Sequence, residues 1–465
     1  MIKQLFFLLL FISSQVCAQG YKINVNLPGA ANKKVSLAYH YLGKIYVQDT
    51  TLLDAKGSGT WQGDTTLTQG LYKVFIDKDN HFDFLLGADQ QFSISNTSVK
   101  ATDMQINGAE ETKEFVKYLI FLDELKTQAG DLNKQLKETS NDKEKEEIRH
   151  KLNELTNELH KYWEKVGKKL PDSFLYKFLK ANYVPALDVT SLPAEIQNND
   201  SLLFQAKFMY QREHFWDNFD YTDERFLYTP FYKNKLETWY NKVLYPAYDS
   251  VKPYVYTFIE NVKSNQRIFQ FATSFFLNSS INSKIMGMDA LFVDLANDFY
   301  FTGEAFWASE ESLEKIRENV LFKKDNLIGK VAPDLTLENF DGEFVNLHQI
   351  ESDLTILLIY EPNCSHCKVF VPEFYNEVYL PNKDKGLQVF AIYSMDDKEE
   401  WTTFLTQHNL FEWLNVWDEH HTSRFKITYD GRHTPGVYVL DKDKKIIAKN
   451  MTVKQLGEIV TDKLN

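Results

Sequence analysis

Thr355-Ile356-Leu357-Leu358-Ile359-Tyr360-Glu361-Pro362-Asn363-Cys364-Ser365-His366-Cys367 is the stretch on which the fold of this chain turns. An unbroken apolar run of strand length predicts a strand buried on both faces. The C-x-x-C that follows puts Cys364 where a helix would begin. Unpaired backbone N–H groups and the positive end of the helix dipole favour a thiolate over a thiol there, and the thiolate is the nucleophile of disulfide exchange. The third cysteine, Cys17, falls in a leader discussed below, so Cys364 and Cys367 are the pair left to a mature chain. Two close thiols also fit half of a zinc site or a small structural disulfide. Zinc asks for four ligands, and the sequence has no second C-x-x-C or C-x-x-H.

Two prolines extend the reading. Pro372 lies five residues beyond Cys367, and His433-Thr434-Pro435-Gly436 precedes the strand-like run Val437-Tyr438-Val439-Leu440. With these residues the region resembles a thioredoxin fold. The resemblance implies a helix kinked at Pro372 and a cis Thr434–Pro435 bond lying against the dithiol, where the preceding backbone pairs with an incoming peptide. Thr434 and Pro435 are therefore the candidate substrate-docking residues; a loop proline entering a strand is the plainer alternative. Across residues 326–465 the match is similar to the exported TlpA/ResA type. Gly329 to Leu335, Asp341-Gly342 and Val345-Asn346-Leu347 look like the hairpin those proteins add in front. Leu387 to Tyr393 reads as a buried parallel strand and Glu399 to His408 as a helix. A polar turn at Asp441 to Lys445 precedes Ile446-Ile447-Ala448, and Val453 to Leu464 closes as an amphipathic helix.

Departures from that family limit what carries over. Its buried acid, six positions before the first cysteine, is Leu358 here, and the Trp before the cysteine is Asn363. Proton handling must differ. His366, and more distantly Glu361, are the nearby groups able to move protons, and a partly protonated imidazole would depress the Cys364 pKa. That shift stabilises the reduced form and pushes toward an oxidase or isomerase, whereas the TlpA/ResA-like frame implies a reductase. The direction stays open. An exposed His366 without catalytic weight is the competing reading. In the expected mechanism Cys364 attacks a partner disulfide and Cys367 resolves the mixed disulfide, with no organic cofactor and no metal.

The first eighteen residues set the compartment. Met1-Ile2-Lys3, an apolar core from Leu5 to Ile12 and Val16-Cys17-Ala18 make a signal peptide cut before Gln19. Val16 is bulky for a lipoprotein site, so lipidation at Cys17 is not expected. No later run reaches the roughly 18 apolar residues of a membrane helix, which predicts a periplasmic, non-spanning mature protein. A formal net charge of -13 argues against nucleic acid as partner. The expected partners are protein dithiols or disulfides and a membrane-bound electron donor or acceptor, with a homodimer as a further possibility.

With 465 residues and 43% hydrophobic content the chain can fill several cores. Over residues 19–100, short alternating segments split by turn residues predict an antiparallel β sandwich or small barrel. This part resembles the β domain of unknown function found ahead of thioredoxin-like domains in envelope proteins, and it brings no catalytic residues. Partner binding, dimerisation or an inert spacer are its possible jobs. Residues 109–320 read as an all-α, aromatic-rich domain, with Ile148, Leu152, Leu155, Leu159, Tyr162 and Val166 at helical spacing in a hairpin rather than a long coiled coil. The aromatics of the stretch from Phe174 to Trp307, Phe208 and Tyr256 among them, are read as core, or else as a patch that grips unfolded clients. Asp418, His420, His421 and His433 read as a solvated loop rather than a metal site.

Two function classes follow. The leading one is an exported thiol-disulfide oxidoreductase; the other is an envelope binding or chaperone-like protein with a vestigial or regulatory dithiol. A peroxidase of the P-x-x-x-[ST]-x-x-C type is disfavoured, because Leu357 and Glu361 stand at its Pro and Thr/Ser positions.

Overall fold

The computed structural model describes residues 20–464, so the leader expected at residues 1–18, with Cys17, lies outside the described residues. The chain divides into two compact units, one ending at Leu244 and one starting at Tyr245. The stretch between Asn107 and Thr336 contains helices and no strand, and the boundary falls within it.

In the first unit eight strands precede the helices: β1 (Lys22–Asn26), β2 (Lys34–Tyr41), β3 (Lys44–Leu52), β4 (Ser58–Gln62), β5 (Gly70–Phe75), β6 (His81–Leu86), β7 (Gln91–Ser95) and β8 (Gln105–Asn107). They form two four-stranded sheets, ordered β4-β1-β7-β8 and β3-β2-β5-β6. Alternation decides which side chains go inward. Ile23 and Val25 are buried while Lys22 and Asn24 face out, and Ile23, Val35, Trp61, Val74, Phe84 and Ile94 from both sheets belong to one buried cluster. The purely antiparallel arrangement expected from the sequence is corrected by β1 and β7, which run parallel with Ile23 opposite Phe92. The chain leaves β1, builds the other sheet and returns, and so long a crossover permits a parallel pair.

The helices Glu110–Glu138 and Asp142–Lys169 form a hairpin, and the Asn141 side chain caps the second by accepting from the backbone of Lys143 and Glu144. Ile148, Trp163, Val166 and Gly167 are the buried positions of the second helix. Beyond it the aromatic residues are largely core: Phe215, Phe219, Phe226, Tyr232 and Trp239 are buried, with Phe219 stacked on Phe226 at 4.3 Å between centroids.

The second unit opens with helices at Tyr248–Val262, Gln266–Ile281, Asp289–Leu295 and Glu310–Lys323. A seven-stranded sheet follows: β9 (Thr336–Asn339), β10 (Phe344–Asn346), β11 (Leu354–Tyr360), β12 (Leu387–Tyr393), β13 (Leu414–Trp417), β14 (Gly436–Asp441) and β15 (Ile446–Lys449), in the order β10-β9-β13-β12-β11-β14-β15. The three parallel strands β11, β12 and β13 lie inside, flanked by antiparallel β14–β15 on one side and the β9–β10 hairpin on the other. Gly342, at φ +85, turns that hairpin. All seven residues of β11 are buried. Its even positions join one core cluster and Leu357 and Ile359 join another across the sheet, which is why the sequence shows a continuous apolar run rather than alternation.

Candidate active site

β11 ends at Tyr360, and a three-residue turn, Glu361 to Asn363, leads to Cys364, the residue that precedes the helix Ser365–Phe374. The backbone N–H of Cys364 donates to the Glu361 carbonyl at 3.1 Å, while the Cys364 carbonyl accepts the first helical bond from Lys368 at 3.0 Å. Cys364 therefore sits where the free N–H groups of the first turn point outward. One turn on, Cys367 is fully buried. The helix contains Pro372 and continues into a wider π turn at Tyr375–Tyr379, the kind of kink that a missing amide donor produces.

Strand register brings the second half of the site in. β14 pairs antiparallel with β11, Gly436 opposite Ile359, so the residues just before β14 lie beside those just after β11. The Thr434–Pro435 bond there is cis. The Cys364 thiol donates to the Thr434 carbonyl at 3.3 Å.

The two thiols differ sharply in acidity. Burial alone would raise the Cys364 pKa; it is outweighed by hydrogen bonds from the Thr434 side chain, from the backbone of Cys367 and His366 and from the Cys367 thiol, which hold it down at about 7. Cys367 is pushed up to about 12, first by burial and then by the proximity of Cys364. Both are free thiols. This pair can therefore present one nucleophile and keep the other protonated in reserve.

Cys364, Cys367, Thr434 and Pro435 are thus brought together, while His366 lies exposed on the first helical turn. Leu358 is fully buried where the related fold keeps its acid. Two positions on, along the same strand face, Tyr360 is also fully buried, its pKa raised by burial, and its hydroxyl accepts from the indole N–H of Trp401 at 2.8 Å. Asn363 donates its side-chain amide to Glu400, whose other oxygen accepts from the Tyr393 hydroxyl at 2.9 Å. Sequence reading missed Tyr360, Tyr393, Glu400 and Trp401 as site neighbours. A polar group at the third position of the 356/358/360 face was the available signal for Tyr360; nothing local marks the others.

The loop holding Asp418, His420 and His421 spends its carboxylate within itself. Asp418 accepts from the backbone of Thr422 and Ser423 at 3.0 Å each, and His421 faces Asp396 at 3.4 Å. Among the described residues no three His, Cys, Asp or Glu side chains are grouped to hold a metal ion, and no helix is long and apolar enough to cross a membrane.

The model of the AhpC/TSA family matches residues 328–449. A domain of a possible thiol-disulfide isomerase from Cytophaga hutchinsonii is 38% identical, the match covering 29% of this chain and 92% of that one, with a TM-score of 0.28. A thioredoxin-like protein from Bacteroides caccae is 19% identical over 60% of this chain and 98% of its own, with a TM-score of 0.45. The thioredoxin domain of a thiol-disulfide oxidoreductase from Bacteroides vulgatus is 22% identical over 30% of this chain and 98% of its own, with a TM-score of 0.28. No curated protein matches the chain.

Proposed function

From a C-terminal domain that belongs to the thioredoxin-like AhpC/TSA family, we propose that this protein is an exported thiol-disulfide oxidoreductase of the periplasm acting on protein clients through Cys364 and Cys367. The observation that carries the proposal is the asymmetry of the pair: a partly exposed Cys364 held down at about 7 beside a buried Cys367 pushed up to about 12. At neutral pH about half of Cys364 is thiolate, enough to attack, while Cys367 stays protonated.

In the reducing direction the Cys364 thiolate forms a bond to one sulfur of a client disulfide, and the other client sulfur leaves as a thiolate and takes up a proton. Cys367 then gives up its proton and attacks the Cys364 sulfur. The bond to the client breaks, and the chain is left with a Cys364–Cys367 disulfide, having passed two electrons to the client. Thr434 and Pro435 are the proposed docking edge, where client backbone lies against the dithiol. A membrane-bound electron partner would reset the couple. No organic cofactor enters, and His366 is at most a solvent-side tuner of the thiolate.

Magnitude favours the reductase direction. Moving one thiol from its ordinary value of 9.0 to about 7 stabilises the reduced form at pH 7 by a factor of roughly two, at most about 10 mV before solvent screening trims it. So small a push does not make a strong oxidant.

Cys367→Ser should trap clients as mixed disulfides that reductant releases, and Cys364→Ser should trap none. Equal trapping by both variants would sink the assignment of nucleophile and resolver.

One observation favours the binding-protein reading. The helix Asp200–His214 buries none of its residues, and Phe204 and Met209 stand exposed on it. On that reading Cys364→Ser keeps the full phenotype of the protein.

A further inference from the structure

We infer that Glu400 is a positioning residue for the nucleophile, acting through Asn363; the inference rests on the assignment of Cys364 as the attacking thiol. Glu361, Pro362 and Asn363 link β11 to the active-site helix. Among the described residues the one side-chain hydrogen bond this turn makes is from the Asn363 amide to Glu400. Asn363 is the residue immediately before Cys364, so whatever fixes its side chain limits how far the sulfur swings from the helix N–H groups and from Thr434.

Glu400 is itself built in from several sides. Asp397 caps the helix Lys398–His408 by accepting from the backbone of Glu399 and Glu400 at 3.0 Å each. The Tyr393 hydroxyl, at the end of β12, contacts the free Glu400 oxygen at 2.9 Å, the Asp397 carbonyl at 2.9 Å and the Asp397 N–H at 3.2 Å. The next residue, Trp401, stacks on the Tyr393 ring at 5.3 Å between centroids and donates to Tyr360 at 2.8 Å. Glu400 and Trp401 thus hold the two ends of the segment Tyr360 to Asn363. Trp401, Tyr360 and Tyr393 are essentially fully buried, which makes the anchor rigid. Asn363, by contrast, is exposed.

A carboxylate near the site also has a direct electrostatic effect, and its sign is opposite. Removing a negative charge favours the thiolate, whereas releasing the turn lets the thiolate stray from its donors. The two are separable by substitution. Glu400→Gln removes the charge but keeps an oxygen to accept from Asn363; Glu400→Ala removes both.

The test is the rate at which iodoacetamide alkylates Cys364 in the full-length reduced protein, measured at pH 7 and across its pH profile, with the thermal midpoint as a folding control. A lost hydrogen bond of ordinary strength predicts that Glu400→Ala and Asn363→Ala each slow alkylation at pH 7 about threefold, with the midpoint of the pH profile moved up. The double variant should be no slower than either single one. Glu400→Gln should stay within about twofold of the parent protein, by the same reckoning. Unchanged alkylation in Asn363→Ala, additive losses in the double variant, or a Glu400→Gln protein that alkylates more than about twofold faster than the parent would each overturn the inference. Alkylation needs no client. A parent protein that alkylates as described yet forms no reversible disulfide in redox buffer would separately overturn the proposed function.

Discussion

Cys364 and Cys367 are three residues apart and face opposite conditions, one at a helix start within reach of several donors, the other fully buried. The pH dependence follows from these opposite shifts. The Cys364 pKa is depressed, so its thiolate stabilises the reduced form above about pH 7 and that contribution is lost as pH falls through 7. Cys367, raised to about 12, keeps its proton across the whole neutral range. Reduction therefore takes up two protons below pH 7 and one above it, and the potential should fall by about 59 mV per pH unit below the break and about 30 mV above it. A break near pH 9 instead would show that Cys364 is an ordinary thiol. His366 is exposed, and a charge in solvent is worth well under 1.4 kcal/mol to its neighbour, so His366→Ala should move the break by less than about one pH unit. At this scale the C-x-x-C spacing displayed the two cysteines, while Thr434 and Pro435 were reached through the resemblance to a thioredoxin fold. Asn363 drew notice only as a departure, and its bond to Glu400 was invisible, since a contact between a turn and a helix on another strand's connection depends on how β11 and β12 are paired.

Among elements, the β11–β14 register is what turns two distant motifs into one site, and the flanking strands keep it. Lys449, on β15, anchors that edge of the sheet within the same unit. Its buried ammonium donates to Asp289 at 2.5 Å and to the Asn326 side chain and carbonyl at 2.9 and 2.8 Å. Burial pulls its pKa below the ordinary lysine range while Asp289 opposes the shift. Lys449→Ala leaves the Asp289 carboxylate with neither its cation nor easy access to water, and should cost about 3 kcal/mol, read as a lower urea midpoint. A loss below 0.5 kcal/mol would mean that water relieves the site. Element by element, the C-terminal half read well. The seven-residue strand β11, the β9–β10 hairpin, β12 and the closing helix all carry patterns set by burial on one face or two. Direction was not legible in the first unit: alternation in Ile23-Asn24-Val25 tells which side faces in and is blind to whether the neighbouring strand runs parallel. In β3, Ile45, Tyr46 and Val47 stand exposed in a row, so its sequence offers no period of two to read.

For the whole molecule, the division at Leu244/Tyr245 places the helices from Tyr248 to Lys323 in the same unit as the dithiol sheet, and the buried clusters on the two faces of that sheet are drawn from that unit alone. Expression of residues 245–465 should yield a couple with the same potential as the full chain within about 10 mV, since the groups that set it are local. If the first unit selects clients, the truncated protein carrying Cys367→Ser should trap markedly fewer of them; an unchanged trapping pattern would make that unit a spacer. The net charge of -13 belongs to this scale too, and it makes trapping of basic clients the more sensitive to salt. The most direct test of the account is the reduction potential of Cys364/Cys367 in the full-length protein, equilibrated in glutathione or dithiothreitol buffers at pH 7 with free thiols counted. The account predicts a reversible two-electron couple on the thioredoxin side, near about -270 mV. A value near about -120 mV would contradict the reductase direction, and the absence of any reversible disulfide would contradict the oxidoreductase itself.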